Sequence, residues 1–269
     1  MGTTPEQESR PPIGDKEVQV FEYLPGKHTY RTTMECNDVP GAFADVLKRI
    51  APLGINVVSI STTRMPNGKS AFISIFAEMK KPRSPREIQR KVRASSFADK
   101  VKVEEGDCLI VAKDPFPLMY TGHRAILFWQ EHLSATLKAM RETFDTGGEV
   151  MLFEQGYATG KSGVATLQSV LGRDKILENA NVLANVLTAS GWGKVVSANV
   201  ELSPFRARIQ IEDNFECAGQ KSLEPYSQFL RGFFVGSTED LVGMPVRCTE
   251  TKCIAAGGSC CEFELAAKE

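Results

Sequence analysis

Seven cysteines stand at positions 36, 108, 217, 248, 253, 260 and 261, four of them within fourteen residues near the C-terminus. In a reducing compartment, clustered thiols bind metal or do redox chemistry more often than they form stable disulfides, and an odd total argues against full pairing. Glu250-Thr251-Lys252-Cys253 followed by Cys261 reads E-x-x-C-x7-C across a glycine-containing turn. A hairpin there would bring Cys253 and Cys261 together at its base. Two thiolates and a carboxylate oxygen are ordinary ligands of tetrahedral zinc, and a fourth donor must come from elsewhere. Such a metal would also add to the folding free energy. The alternative is a set of buried free thiols, since cysteine packs as a small apolar residue.

Other chemistry has little footing. The three histidines, His28, His123 and His132, lie away from the cysteine cluster, and His132 falls off the apolar face of its helix, where a solvated side chain is expected. Gly156-Tyr157-Ala158-Thr159-Gly160-Lys161-Ser162 invites comparison with a phosphate-binding loop, but only three residues separate its glycines where the loop needs four. Gly156 and Gly160 read instead as sites of close helix packing, with Lys161 exposed. No Gly-x-Gly-x-x-Gly follows a strand, so a hydride-transfer enzyme has no evident place for its nicotinamide cofactor. No catalytic residue is assigned.

The elements that must position the cysteines begin with composition. The 269 residues are 42% hydrophobic and 24% charged, the profile of a folded globular chain with room for two domains. Lys+Arg at 32 nearly cancels Asp+Glu at 33, so no general field grips phosphate backbones or anionic lipid. With no basic stripe and no helix-turn-helix pattern, direct nucleic-acid binding is not expected. No apolar run is long enough to span a bilayer, and the polar start at 1–15 lacks the apolar core of a signal peptide, which points to the cytoplasm.

Along the chain, residues 1–27 read as a flexible tail, 28–113 as one domain, 114–122 as a proline-containing linker and 123–269 as a second domain. In the first domain, alternation over 28–36 predicts a strand, and Asp38 is placed to cap a helix whose stripe is Ala42, Phe43, Val46, Leu47 and Ile50. A hairpin turns at Asn67-Gly68, a capping-box helix starts at Ser84, and two short strands, 100–105 and 108–112, close the unit. The order is ferredoxin-like, βαββαβ. In the second domain, Ile126, Trp129, Leu133, Leu137, Met140 and Phe144 form a helical stripe expected in the core. A short strand at 149–154, helices at 160–171 and 174–189, an antiparallel pair turning at Pro204, a helix from about Pro225 to Leu241 and a hairpin at 246–265 complete an α+β unit.

Two resemblances follow from these residues. Asp38-Val39-Pro40-Gly41-Ala42-Phe43 with Gly54-Ile55-Asn56-Val57 resembles the ACT domain, a regulatory module that binds amino acids or related ligands, and this implies ligand contacts at Asp38 and Gly41. Asp38 as a cap and Gly41 as a packing residue remain the alternative. The second resemblance covers about 120–269. It is carried by Phe153-Glu154-Gln155-Gly156-Tyr157-Ala158-Thr159-Gly160, Gly191-Trp192-Gly193, Gly232-Phe233-Phe234-Val235-Gly236, Glu250 to Gly257 and Cys261-Glu262-Phe263. These look like the 4-vinyl-reductase domain family, whose fold is shared with sensor domains of phenol-responsive activators and with vesicle-tethering subunits.

That likeness implies a small-molecule cavity, for which Trp129, Tyr157, Trp192 and Phe233 are candidate lining residues, each equally plausible as core. It also implies zinc at Glu250, Cys253 and Cys261. Relatives often place a fourth ligand, cysteine, where this chain has Ser227, so Cys217, Cys260, Cys248 or water must substitute. Cys217 is the residue assigned. Both resemblances imply a homodimer. The function expected is a ligand-responsive regulatory protein binding a small apolar or aromatic effector, with a dimeric adaptor and a tetrapyrrole- or cofactor-processing reductase as alternatives.

Overall fold

The computed structural model describes residues 18, 20–120, 122–179 and 181–268, so most of the expected tail lies outside the described residues. The chain divides into two compact units, 1–125 and 126–269.

The first unit runs β1 (Phe21–Asn37), α1 (Ala42–Ile50), β2 (Asn56–Arg64), β3 (Ser70–Met79), α2 (Pro85–Arg93) and β4 (Ala98–Val111), then two short strands, β5 (Met119–Tyr120) and β6 (His123–Arg124). The antiparallel sheet has the order β2-β3-β1-β4, which is the ferredoxin-like arrangement expected. Val46, Ile50, Ile88 and Val92 of the two helices share one core with Tyr30, Met34, Ile73 and Ile75 of the sheet.

Several expectations need correction. The first strand begins at Phe21, inside the stretch assigned to the tail. The two closing strands are one: β4 runs through, with Cys108 accommodated in left-handed backbone at φ 60°. Asp38 does not cap α1. Gly41, at φ 85°, is the residue before the helix, and the Asp38 carboxylate accepts from Arg64 Nε at 2.7 Å. Ser84 makes no side-chain cap either, leaving the fixed φ of Pro85 to start α2.

On the other side of β1, Arg31 is 1% exposed yet well satisfied. Its Nε donates to Ser74 Oγ at 3.1 Å, Nη1 to Glu104 Oε2 at 3.0 Å and Nη2 to the Asp114 carbonyl. Burial alone would raise the Glu104 carboxyl, but Lys102 and Arg31 outweigh it and hold it below its ordinary range. A depressed folded value gives stability that is present above the unfolded pKa of about 4.3 and lost as pH falls through the lower folded one. Glu104→Gln should therefore flatten the acid limb of stability below about pH 4.3. Urea unfolding at a series of acidic pH values checks this; an unchanged limb would mean the pair is not linked to folding.

The second unit comprises α3 (Gln130–Phe144), α4 (Thr146–Leu171), α5 (Arg173–Glu178), α6 (Asn181–Ala189), β7 (Lys194–Leu202), β8 (Phe205–Glu212), α7 (Gln228–Val242), β9 (Val246–Lys252) and β10 (Cys261–Ala267). Its antiparallel sheet has the order β7-β8-β10-β9. Leu152 of α4, Leu230 and Phe234 of α7, and Ile211 and Phe263 of the sheet share the main core, so the unit is α+β as expected.

The strand expected at 149–154 is instead the start of the 26-residue α4. A four-residue apolar run fits a strand or a buried helix equally, and only packing decides between them. The helix expected at 174–189 is two, α5 and α6. The α3 stripe is only partly core: Leu137 is buried, but Ile126, Trp129 and Phe144 are exposed and the helix begins only at Gln130.

Candidate metal centre and apolar cavity

Three loops converge at one end of the second sheet. After β9 the chain folds back on itself: the N–H groups of Ala256 and Gly258 both donate to the Cys253 carbonyl, at 3.2 and 2.8 Å. Gly257 holds φ 88°, and a Cβ on Gly258 would stand 2.8 Å from that carbonyl oxygen. This turn sets Cys253 beside Cys261, the first residue of β10. Glu250 reaches the same point because Val246, Cys248 and Glu250 alternate onto the buried face of β9. After β8, the Cys217 N–H donates to the Asn214 carbonyl, which tucks the Cys217 thiol inward.

One ligand atom from each of Cys217, Glu250, Cys253 and Cys261 lies within 4.8 Å of the others, and all four residues are buried. Cys217 Sγ is 3.6 Å from both Cys253 Sγ and Cys261 Sγ, and all the cysteines are free thiols. The set is able to hold a metal ion. Cys248 and Cys260 lie outside it, and Ser227 takes a supporting place. Its N–H and its hydroxyl each donate to a Glu250 oxygen at 2.8 Å. Asn214 Nδ2 donates to Ser227 Oγ at 2.9 Å and lies 3.4 and 3.3 Å from the sulfurs of Cys217 and Cys261.

The electrostatics are those of crowded anions short of a cation. Burial pushes Glu250 up to about 7 despite the two Ser227 hydrogen bonds. Hydrogen bonds with Cys217 and Cys261 hold Cys253 far below the usual thiol range, and the same contacts, with burial, drive Cys217 far above it. Cys217 pulls Cys261 down, but Cys253 and burial together push it up to about 12. Without a cation the trio carries its negative charge on one thiolate. A bound cation would deprotonate the others, because its charge inverts the local order.

Sequence reasoning missed the scaffold behind Cys217. Glu216 is fully buried and accepts from the N–H groups of Phe229 and Leu230 at the start of α7, at 3.0 and 2.9 Å, and from Arg141 Nη2 of α3 at 2.6 Å. The Arg141 guanidinium lies 3.8 Å over the Tyr226 ring. A buried acid beside a cysteine was the available signal, but its partner stands 75 residues away.

Next to this region an apolar cavity of about 80 Å3 lies between β7 and β8 and helices α5, α6 and α7. Ile176, Leu183, Ala198, Phe205, Phe233 and Leu241 are among its walls, and its polar contributors are Ser237 and Thr238. Ser237 Oγ is turned to the main-chain carbonyl of Phe233.

Of the four aromatic candidates, Phe233 lines the cavity. Trp192 packs in an aromatic cluster, with ring centroids 4.9 Å from Phe233 and 5.5 Å from Phe215. Tyr157 donates its hydroxyl to Glu239 Oε2 at 2.9 Å. Trp129 is exposed, edge-on to His132. In the first unit, Asp38 and Gly41 sit together in the exposed turn before α1.

The second unit thus has the features of a small-molecule-binding α+β domain: a sheet, a helical cover, a cavity and a Cys/Glu cluster. Residues 207–267 match the family model of the vinyl-4-reductase domain, so this part of the chain is of that family, the one the sequence motifs resemble. No curated protein matches the chain.

Among solved structures, the phenol-responsive sensory domain of the transcription activator PoxR is similar at 19% identity, with 54% of this chain and 77% of that one covered and a TM-score of 0.45. A vinyl-4-reductase family protein from Methanocaldococcus jannaschii is similar at 15% identity over 54% of this chain and 85% of that one, with a TM-score of 0.38. An ACT domain protein from Streptococcus pneumoniae shares 21% identity over 35% of this chain and 98% of that one, with a TM-score of 0.24. Among the described residues, no helix is long and apolar enough to cross a membrane.

Proposed function

We propose that this chain is a ligand-responsive regulatory protein whose C-terminal unit encloses a small uncharged effector and is braced by a structural zinc ion. The observation that carries the reading is the cavity, walled by apolar side chains with no charged group among them. Its roughly 80 Å3 is smaller than the ~150 Å3 that admits benzene in an engineered core. Binding of an aromatic ring therefore requires α5 and α6 to move outward. An apolar wall with one or two hydroxyls selects neutral, compact molecules over anions, because an unpaired charge would lose its hydration.

Thermal shift with phenol, indole and hexanol tests the reading. At least one should raise the melting temperature of the wild type, and Ala184→Phe, which fills the cavity, should abolish the shift. If none of these probes stabilises the wild type, the sensor reading fails.

The donor chemistry supports zinc. Metal–sulfur bonds of about 2.3 Å in a tetrahedron set sulfurs about 3.8 Å apart, close to the 3.6 Å separations of Cys217 from its two neighbours. Cys217, Cys253, Cys261 and Glu250 would be the ligands, with Ser227 orienting the carboxylate from outside. Loss of such an outer partner typically costs 10- to 100-fold in metal affinity. Ser227→Ala should show a loss of about that size in competition with a chromophoric chelator, and unchanged affinity would remove Ser227 from the site.

The exposed apolar run Ile126, Leu127, Phe128 and Trp129 supports self-association, the homodimer that both resemblances imply, and equally the adaptor reading. Sedimentation of the full chain separates dimer from monomer. In the first unit, the Asp38–Gly41 turn is the proposed second effector contact, with the Arg64 side chain as its lid.

A further inference from the structure

We propose that the α2 face of the N-terminal unit is a docking site for a nucleic-acid phosphate backbone. Between Met79 and Arg93 the chain holds seven Lys or Arg and a single acid, Glu87. That acid faces Arg83 at 3.6 Å. Among the described residues, the other six basic side chains have no acidic partner within 4 Å, and all are exposed. Helix geometry organises them. Ile88 and Val92 are buried against the sheet, which turns Arg86, Arg90 and Arg93 outward at spacings of four and three, along one face.

These three arginines, with Gln89 and Ala94, line an open groove of about 490 Å3. From Arg86 to Arg93 the helix rises about 10 Å, the length of roughly three phosphates along one strand of a duplex. The neighbouring α1 does not neutralise the face, because its Asp45 is already paired with Arg49 at 2.8 Å. The chain-wide charge of −1 conceals this face, because an average over 269 residues says nothing about a cluster on one helix.

The kind of partner follows from what the groove lacks. Protein partners are held chiefly by buried apolar or aromatic anchors, and the only apolar side chain lining this groove is that of Ala94. A phosphate backbone needs no such anchor. It is held by charge and by forked guanidinium contacts to its oxygens. Docking would be insensitive to sequence, because nothing in the groove is placed to read base edges.

Fluorescence anisotropy of the full chain with a labelled duplex of about 20 base pairs and arbitrary sequence, across a salt series, tests the proposal. The wild type should bind with a log–log salt slope near −0.9 per phosphate contact. The triple variant Arg86→Ala, Arg90→Ala, Arg93→Ala should flatten that slope by about 2.7 and bind at least about tenfold more weakly at about 100 mM salt. Alanine suits an exposed helix, and an unchanged melting temperature and thermal response to the cavity probes will show that the fold persists. Lys138→Ala, Lys161→Ala, Lys175→Ala removes equal charge from the other unit and should leave most binding intact. No wild-type binding in about 50 mM salt overturns the proposal, as does equal loss in the two triple variants. Tighter binding to polyglutamate or to anionic phospholipid vesicles than to the duplex overturns it in favour of an acidic protein or a membrane.

Discussion

Cys253→Ser is expected to remove stoichiometric metal from the purified protein and to lower the melting temperature of the C-terminal unit by about 8–16 °C. The magnitude follows from position. Cys253 is the ligand at the hinge of the β9–β10 turn, and its carbonyl already anchors that turn through the N–H groups of Ala256 and Gly258. Losing its thiolate leaves Cys217, Cys261 and Glu250 buried together with no cation to hold their charge. Loss of a structural metal belongs to the short list of changes costing about 4 kcal/mol or more. At about 2–4 °C per kcal/mol for a unit of this size, that gives the stated range. Chelation of the wild type should reproduce the shift, and chelation of the variant should add nothing. If the variant retains one metal per chain, or if chelator leaves both proteins melting together at the wild-type temperature, the cluster is a set of buried thiols.

Much of this centre was legible because its ligands lie in short, punctuated segments. Glu250, Cys253 and Cys261 occupy two adjacent strands and the turn between them, so spacing alone brings them together. Cys217 lies far upstream of Glu250, and only the tertiary path of the loop after β8 delivers it. What could not be read was the support. Ser227 stood out as a missing ligand, yet in the fold it donates twice to Glu250, a role that depends on where α7 begins. Glu216 and Arg141 meet through packing of α3 against that same loop, and no local pattern encodes such a contact. The cavity was anticipated, but three of its four candidate aromatics went elsewhere, since ring type does not say which side of a helix or turn will face a void.

The fold followed the same division. In the first unit, alternation, Asn67-Gly68 and the two amphipathic stripes are local signals, and the sheet order agrees with them. Length was harder: Cys108 in left-handed backbone reads as a break between strands although β4 continues through it. The α3 stripe misled for a different reason. Periodicity identifies a helix face but cannot say that another element covers it, and Ile126, Trp129 and Phe144 remain exposed. The strand expected at 149–154 failed because the glycines that settle its state act through a second helix.

Those glycines support the second large prediction. A Cβ on Gly156 would stand 1.9 Å from the Phe229 carbonyl oxygen, and one on Gly160 2.1 Å from that of Phe233. The contact is reciprocal: Gly232 faces the Phe153 carbonyl at 1.9 Å and Gly236 that of Tyr157 at 2.1 Å. Helices α4 and α7 therefore touch backbone to backbone. Two effects oppose each other in Gly156→Ala. Helix propensity favours alanine by about 1 kcal/mol, whereas overpacking costs about 1–3 kcal/mol or more. The clash must win, because the obstacle is a main-chain carbonyl within a helix rather than the end of a side chain that can rotate away. The helices would have to separate along the shared core, so a net loss of about 3 kcal/mol is expected. Gly163→Ala, on the same helix, provides the contrast. It is exposed, and its nearest neighbour would be Phe233 Cε2 at 4.0 Å. It should stabilise by about 0.5–1 kcal/mol. Thermal melts of the two variants should thus move in opposite directions, and a shift of the same sign in both would refute the close crossing. Separation would also move the start of α7, where Ser227 holds Glu250 and the Phe229 and Leu230 N–H groups hold Glu216. Gly156→Ala should accordingly weaken metal binding as well, although it lies in neither the turn nor the sheet that carries the ligands.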